Sequence, residues 1–156
     1  MSNLTSIKDI GSLKDHLGEP LGPTNWVTIT QEMINQFADV TGDHQWIHID
    51  VDRAKKESPF GQTVAHGYLT VSLVPVLLPQ ILEIGGSAAV INYGIDKLRL
   101  PAPVPAEARI RLKAELKNVR DLQGGGAQRT PSSRSTPTTV RFFWSSTFLS
   151  GLGTPP

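Results

Sequence analysis

The feature that most constrains this chain is an apolar stretch from Ala65 to Leu82, which contains no Lys, Arg, Asp or Glu. In a protein that folds in water, a helix that is apolar nearly all round is buried on most sides. The sequence therefore predicts a helix at the centre of the fold, with the other elements packed around it. Pro75 and Pro79 lack an amide hydrogen, so we expect them to kink this helix or to end it early.

Composition excludes several classes of protein. Polar residues and prolines interrupt the apolar stretch between Val64 and Ile84, so we expect no membrane span. The first ten residues lack the apolar core of a signal peptide, which favours a cytoplasmic location. Lys and Arg number 15 against 14 Asp and Glu, so we expect no nucleic-acid partner, which would require a clustered basic face. The absence of cysteine excludes disulfides, thiolate metal sites and a cysteine nucleophile.

Helix signals are clear before the central stretch. Apolar residues recur every three or four positions from Leu4 to Leu17, which predicts an amphipathic helix that ends near Gly18. Thr30 has the side chain of an N-cap for a second helix, and Gly42 suits its left-handed end. A third, short helix is predicted to run from a cap at Asp50 through Lys55.

Strand signals are found mainly after the central stretch. The segment Asn25–Ile29 is short and favours β structure, and two further strands are predicted at Ala89–Leu100 and Ala108–Val119. In Ala108–Val119, apolar and charged residues alternate, which indicates a strand with one buried face and one solvent-exposed face. The prolines of Pro101–Pro105 and the glycines of Gln123–Ala127 predict turns. Helices followed by antiparallel strands indicate an α+β fold.

The end of the chain differs in composition from the rest. Residues 129–156 contain six Ser, six Thr and four Pro, a composition that buries little apolar surface. A strand is predicted in this segment only at Val140–Leu149. We therefore divide the chain into one domain at residues 1–128 and an atypical tail at residues 129–156.

The residues best suited to chemistry follow the second helix. Asp43 comes directly after it, His48 lies five residues later, and His66 and Gly67 begin the central stretch. A carboxylate and an imidazole that meet at one water molecule can activate it by acid–base catalysis. An amide at a helix start can stabilise an oxyanion, and glycine allows close approach. The residues alone also fit a turn aspartate, hydrogen-bonded core histidines, or a metal site that uses His44, His48 and His66.

These residues belong to a longer pattern that carries a family resemblance. The pattern lies between Trp26 and Gln128 and reads FADVTGDHQWIHID, PFGQTVAHGYLTVSLVPVL and INYGIDKLRLPAPVPAEARIRL. It resembles the MaoC-like dehydratase family, of the (R)-specific enoyl-CoA hydratase type. The resemblance implies a hot-dog fold, in which an antiparallel sheet wraps around a long central helix.

The resemblance also implies an activity. The expected reaction is the reversible hydration of a trans-2-enoyl-CoA to an (R)-3-hydroxyacyl-CoA. Asp43 and His48 correspond to the catalytic pair that activates water, and the Gly67 amide corresponds to the donor that binds the thioester oxygen. No metal and no cofactor is implied, because the CoA thioester is the substrate. An acyl-CoA partner and a homodimer are expected, since the fold leaves sheet edges to cover.

Two features of the sequence depart from the family pattern. Gln45-Trp46 replaces the usual Asn-Pro before the histidine, and residues 129–156 do not match the family's final strands. A shifted reading frame or natural divergence would each explain the tail, and the nucleotide sequence distinguishes them. The alternative functions are a hot-dog acyl-CoA thioesterase and a non-catalytic acyl-CoA-binding subunit.

Overall fold

The computed structural model describes residues 4–86, 90–92, 94–95, 97–121 and 138–141. Its helices are α1 (Gln31–Thr41), α2 (Trp46–Ile49), α3 (Val51–Glu57), α4 (Gly67–Ser72) and α5 (Val74–Leu77), with 3-10 helices at Gly11–His16 and Leu78–Gln80. Its strands are β1 (Thr5–Ile7), β2 (Pro20–Leu21), β3 (Val27–Thr28), β4 (Leu82–Ile84), β5 (Arg109–Ile110), β6 (Ala114–Glu115), β7 (Asn118–Asp121) and β8 (Thr138–Arg141). This mixture confirms the predicted α+β class.

The caps predicted for the second and third helices are present. The hydroxyl of Thr30 accepts a hydrogen bond of 3.2 Å from the backbone N–H of Met33, which satisfies one of the unpaired amides of the first turn of α1. Gly42 ends α1 with a φ of 75°, a left-handed conformation that glycine adopts without a steric penalty. The carboxylate of Asp50 accepts from the N–H of Arg53 and begins α3.

The helix predicted from Leu4 to Leu17 is wrong. The segment forms β1 and a 3-10 helix instead, and β1 pairs in parallel with β4, with Thr5 opposite Leu82. Ile7 and Leu13 are nevertheless both buried in one core cluster. Their spacing therefore reflects a strand followed by a tight turn, and pairing with a distant strand decided the conformation.

The central stretch is helical but divided. Pro75 lies in the first turn of α5 and Pro79 in the first turn of the following 3-10 helix, where a missing amide hydrogen costs little. The prolines thus break the helix as predicted. The single long helix expected up to Leu82 is corrected to α4, α5 and a 3-10 turn, and Leu82 itself begins β4.

Two clusters form the core, and the central stretch contributes to both. The first consists of Ile7, Leu13, Leu21, Leu77, Ile81, Leu82, Leu112 and Leu116. The second consists of Ile29, Ile34, Ala65, Leu69, Val104 and Ile110. The beginning of the stretch packs in the second cluster and its end in the first, so it holds the two together. None of the helices in the described part of the chain has the length and apolar character needed to cross a membrane.

Strand pairing is mostly antiparallel. β2 pairs with β6, β3 with β5 and β7 with β8 in antiparallel fashion, whereas β1 and β4 are parallel, which differs from a wholly antiparallel sheet. Val64 forms an isolated antiparallel bridge with Pro105. That bridge ties the residues just before α4 to the chain that leads into β5.

The predicted strands of the second half are found in part. The buried face expected for Ala108–Val119 is present at Ile110, Leu112 and Leu116, although the segment forms three short strands. The described residues of Ala89–Leu100 form no strand, which corrects that prediction. β8 overlaps the start of the strand predicted at Val140–Leu149, and the rest of that strand and the turn at Gln123–Ala127 lie outside the described residues.

Candidate active site

Asp43 is placed by the end of α1. The helix closes at Gly42, and Asp43 is the next residue. The Asp43 side chain is 56 % exposed, so its carboxylate is open to solvent on one side. Its backbone N–H points to the hydroxyl of Thr41 at 3.4 Å, which is a long hydrogen bond. Contacts with its own helix therefore hold this residue only weakly.

His48 is held much more firmly, inside the short helix α2. It is 8 % exposed, and its Nδ1 lies 2.6 Å from the backbone carbonyl oxygen of Val64. A carbonyl oxygen can only accept, so Nδ1 must carry the hydrogen. In the neutral ring, Nε2 then has a free lone pair, which is the form that a general base requires.

Gln31 supports His48 from α1, and no sequence pattern indicated it. Its side-chain amide donates a 2.7 Å hydrogen bond to the backbone carbonyl of His48. Its carbonyl oxygen accepts a hydrogen bond from the hydroxyl of Thr63. The side chain thus joins α1, α2 and the segment that leads into α4.

His66 brings the parts of the site together. Its Nε2 lies 2.9 Å from the backbone carbonyl oxygen of Asp43 and 3.8 Å from one carboxylate oxygen of the same residue. Its ring stacks on the ring of His48, with centroids 3.8 Å apart, and the Phe37 ring lies 5.1 Å away on α1. The sequence indicates His66 as a neighbour of the helix start, and the structure also places it against both members of the predicted pair.

Gly67 begins α4 directly after His66. As the first residue of the helix, its N–H has no partner within the helix. A Cβ added at Gly67 would overlap Cδ1 of Leu100 and would lie 3.4 Å from Cγ of the same side chain. Leu100 is 48 % exposed, so a half-exposed leucine covers the glycine. The absence of a side chain at residue 67 is what allows this contact.

The predicted site residues therefore converge. One ligand atom from each of Asp43, His48 and His66 lies within 4.8 Å of the others. Such a set is also found in metal sites, and the two rings here overlie each other with an angle of 28° between their planes. A carboxylate and an imidazole this close can contact one water molecule, which is the arrangement that acid–base catalysis requires.

His44 does not join this group. Its Nε2 lies 2.9 Å from a carboxylate oxygen of Asp39 on the surface. The hydrogen bond to Asp39 is the main cause that raises the pKa of His44 above its ordinary value. A metal site built from His44, His48 and His66 is therefore not formed in this structure.

Trp46, two residues before His48, also lies outside the group. The guanidinium of Arg53 lies 4.3 Å from the centre of its ring, and Arg53 also donates to Glu57 at 2.8 Å. Trp46 is half-buried, with the guanidinium of Arg53 over its ring. The tryptophan thus joins α2 to α3.

Comparisons with known proteins agree on one family. The family model described as the MaoC like domain matches residues 12–136. The chain is 46% identical over 130 residues to 3-hydroxyacyl-thioester dehydratase Z of Mycobacterium tuberculosis, an alignment that covers 83% of this chain and 85% of that protein. It is 43% identical over 119 residues to nodulation protein N of Rhizobium meliloti, with 74% and 70% covered.

Solved structures show the same architecture. The monoamine oxidase regulatory protein of Archaeoglobus fulgius superposes with a TM-score of 0.60 at 26% identity, over 78% of each chain. The R-hydratase PhaJ1 of Pseudomonas aeruginosa superposes with a TM-score of 0.54 at 24% identity, over 65% of this chain and 61% of the other. These likenesses confirm the predicted hot-dog fold.

Proposed function

The chain belongs to the MaoC-like dehydratase family, and from that membership we propose that it hydrates trans-2-enoyl-CoA to (R)-3-hydroxyacyl-CoA and catalyses the reverse dehydration. The relative from M. tuberculosis, named as a dehydratase of 3-hydroxyacyl thioesters, supports the class of substrate. The observation that carries the proposal is the convergence of Asp43 and His48 beside the first residue of α4.

The proposed mechanism assigns the proton transfers to the pair. His48, whose Nδ1 hydrogen is engaged by the carbonyl of Val64, offers Nε2 to a water molecule that Asp43 also contacts. As the water oxygen bonds to C3 of the enoyl group, the pair takes one proton from it and returns a proton to C2 on the same face. The Gly67 N–H donates to the thioester oxygen while negative charge develops there.

The proposed reaction requires few chemical groups beyond Asp43, His48 and the Gly67 N–H. Addition of water to an alkene changes no oxidation state overall and transfers no group other than water. The proposal therefore requires no metal and no redox cofactor, and CoA enters as part of the substrate. A cytoplasmic location remains a prediction.

The test is incubation of the purified protein with crotonyl-CoA. We expect loss of the enoyl absorbance without release of free thiol, and chiral analysis is expected to identify the (R)-product. Release of thiol would instead identify a thioesterase. Saturable binding of acyl-CoA without any turnover would identify a non-catalytic binding subunit, and either result would refute the proposed reaction.

Variants of the pair test the assignment of roles. Asp43→Asn and His48→Ala should each lower turnover by about 10²–10⁴-fold, the usual contribution of a general acid or base. The double variant should be little worse, since either loss disables the same transition state. His44→Ala is the matched control, because His44 is an adjacent histidine that bonds only to surface groups. Near-normal hydration by a folded Asp43→Asn variant would refute the role of Asp43.

We also propose a symmetric homodimer. Pairings between strands of two to four residues leave backbone groups open at sheet edges, and such edges are commonly covered by a second copy. Tyr68 and Val76 on the central helices are each 67% exposed, which offers apolar surface for such a contact. Light scattering of the purified protein should give twice the chain mass, and a purely monomeric sample would contradict the proposal.

A further inference from the structure

His66 is a buried imidazole that the proposed mechanism does not use. It is only 4 % exposed, it directly precedes Gly67, and it contacts both Asp43 and His48. Its Nε2 faces a backbone carbonyl oxygen, which can only accept, so this nitrogen carries the hydrogen. The tautomer of His66 is thus fixed by the main chain of Asp43.

The environment of the other ring nitrogen indicates that His66 does more than fill space in the core. Nδ1 is buried and has no hydrogen-bond partner among the residues that the structure describes. A buried acceptor without a partner lowers stability, whereas a phenylalanine ring of similar shape would fill the space without that cost. An imidazole at this position therefore requires a benefit that comes from its Nε2–H.

The hydrogen bond from His66 fixes the position of Asp43. Its carboxylate is more than half exposed, and the hydrogen bond to Thr41 is long. The 2.9 Å bond from His66 ties the main chain of Asp43 to the start of α4, beside Gly67. The same ring stacks on His48, so one side chain fixes the separation of both members of the pair.

We propose that His66 is a positioning residue, whose Nε2–H holds the Asp43 main chain so that its carboxylate meets the same water molecule as His48. This inference rests on the proposed hydration reaction. His66 acts through Asp43, and it transfers no proton in this scheme. Misplacing a catalytic group by about 1 Å can lower a rate by about 10²-fold, which sets the size of the expected effect.

Two variants separate the hydrogen bond from the shape of the ring. His66→Phe keeps a stacked ring but has no donor, and it should fold at least as stably while kcat for crotonyl-CoA hydration falls about 10–100-fold. KM should change by less than about threefold, because the Gly67 amide remains. His66→Gln restores an N–H near the position of Nε2, and it should recover kcat to within about fivefold of the wild type. Equal kcat in wild type and His66→Phe would overturn the inference, as would equal losses in the Phe and Gln variants.

A double-variant comparison tests whether His66 acts through Asp43. In the Asp43→Asn background the carboxylate is already lost, so adding His66→Phe should change kcat by less than about threefold. A full 10–100-fold further loss would show a role independent of Asp43 and would overturn the inference. His44→Phe, which removes an exposed histidine next to Asp43, is the matched control and should leave kcat unchanged.

A measurement without substrate distinguishes failure of this inference from failure of the proposed reaction. Nitrogen-15 NMR of labelled histidine should show His66 with its hydrogen on Nε2 and His48 with its hydrogen on Nδ1. His66→Phe should broaden or shift the amide signal of Asp43, whereas His66→Gln should leave it near its original position. An Nδ1–H tautomer for His66, or an unchanged Asp43 signal in both variants, would overturn the inference even if hydration is observed.

Discussion

The contact between Gly67 and Leu100 predicts that the substitution Gly67→Ala affects stability differently in two backgrounds. A methyl group at residue 67 would overlap Cδ1 of Leu100 and approach Cγ and Cδ2 to 3.4 and 3.6 Å. All three nearest atoms belong to one half-exposed leucine, which can rotate away. Forcing a side chain off its preferred rotamer costs about 0.5–1.5 kcal/mol. Replacing glycine by alanine where the backbone conformation suits alanine gains about 0.4–1 kcal/mol, chiefly by restricting the unfolded chain.

The two effects nearly cancel in the wild-type background. Gly67→Ala should therefore change the free energy of unfolding by less than about 1 kcal/mol. In a Leu100→Ala background only the stabilisation by alanine remains, so the same change should raise the free energy of unfolding by about 0.4–1 kcal/mol. The coupling energy between the two substitutions is then about 0.5–1.5 kcal/mol, the cost of displacing the leucine.

Urea unfolding of the four proteins, followed by circular dichroism, measures this coupling. Gly42→Ala is the control, since nothing lies within 4 Å of its added methyl group but its φ is 75°. That change should cost about 1–2 kcal/mol in both backgrounds, because the strain is in the backbone. Identical effects of Gly67→Ala in both backgrounds would refute the contact with Leu100.

Two further predictions concern α1 and its surface. Thr30→Ala should lower the free energy of unfolding by about 1 kcal/mol, since the N–H of Met33 loses its acceptor; urea unfolding measures this. Asp39→Asn should move the NMR titration of His44 to lower pH, because the hydrogen bond to Asp39 raises its pKa. That pair contributes stability below the unfolded-state pKa of about 6.5, and the contribution is lost as pH rises through the folded-state pKa of His44.

Local chemistry made part of the fold predictable. The N-cap at Thr30, the left-handed end at Gly42 and the cap at Asp50 each act within three or four residues, so the sequence contains the whole signal. Alternation around Ile110 and Leu112 also indicated the buried face, because a strand has the same period wherever its partner lies.

Long-range pairing explains what the sequence did not predict. The three- or four-residue steps between apolar residues from Leu4 to Leu17 fit an amphipathic helix equally well, and only the pairing of β1 with β4 decides against it. At the site, Asp43 and His48 lie five residues apart and could be identified together. The bonds from Gln31 to His48 and from His66 to Asp43 end on backbone carbonyls, and a carbonyl occurs in every residue, so no residue pattern indicates these two bonds.

The parallel pairing of β1 with β4 has a consequence for folding during synthesis. Thr5 pairs with Leu82, and the backbone of Gly85 packs against the carbonyl of Lys8, so β1 has no partner until about 77 later residues are made. At roughly 5–20 residues per second, that interval lasts about 4–15 s. The core residue Ile7 is exposed to solvent on the nascent chain during this time, while α1, α2 and α3 can already form. Limited proteolysis should therefore cleave β1 in ribosome-bound chains stalled before Leu82 and spare it in longer ones.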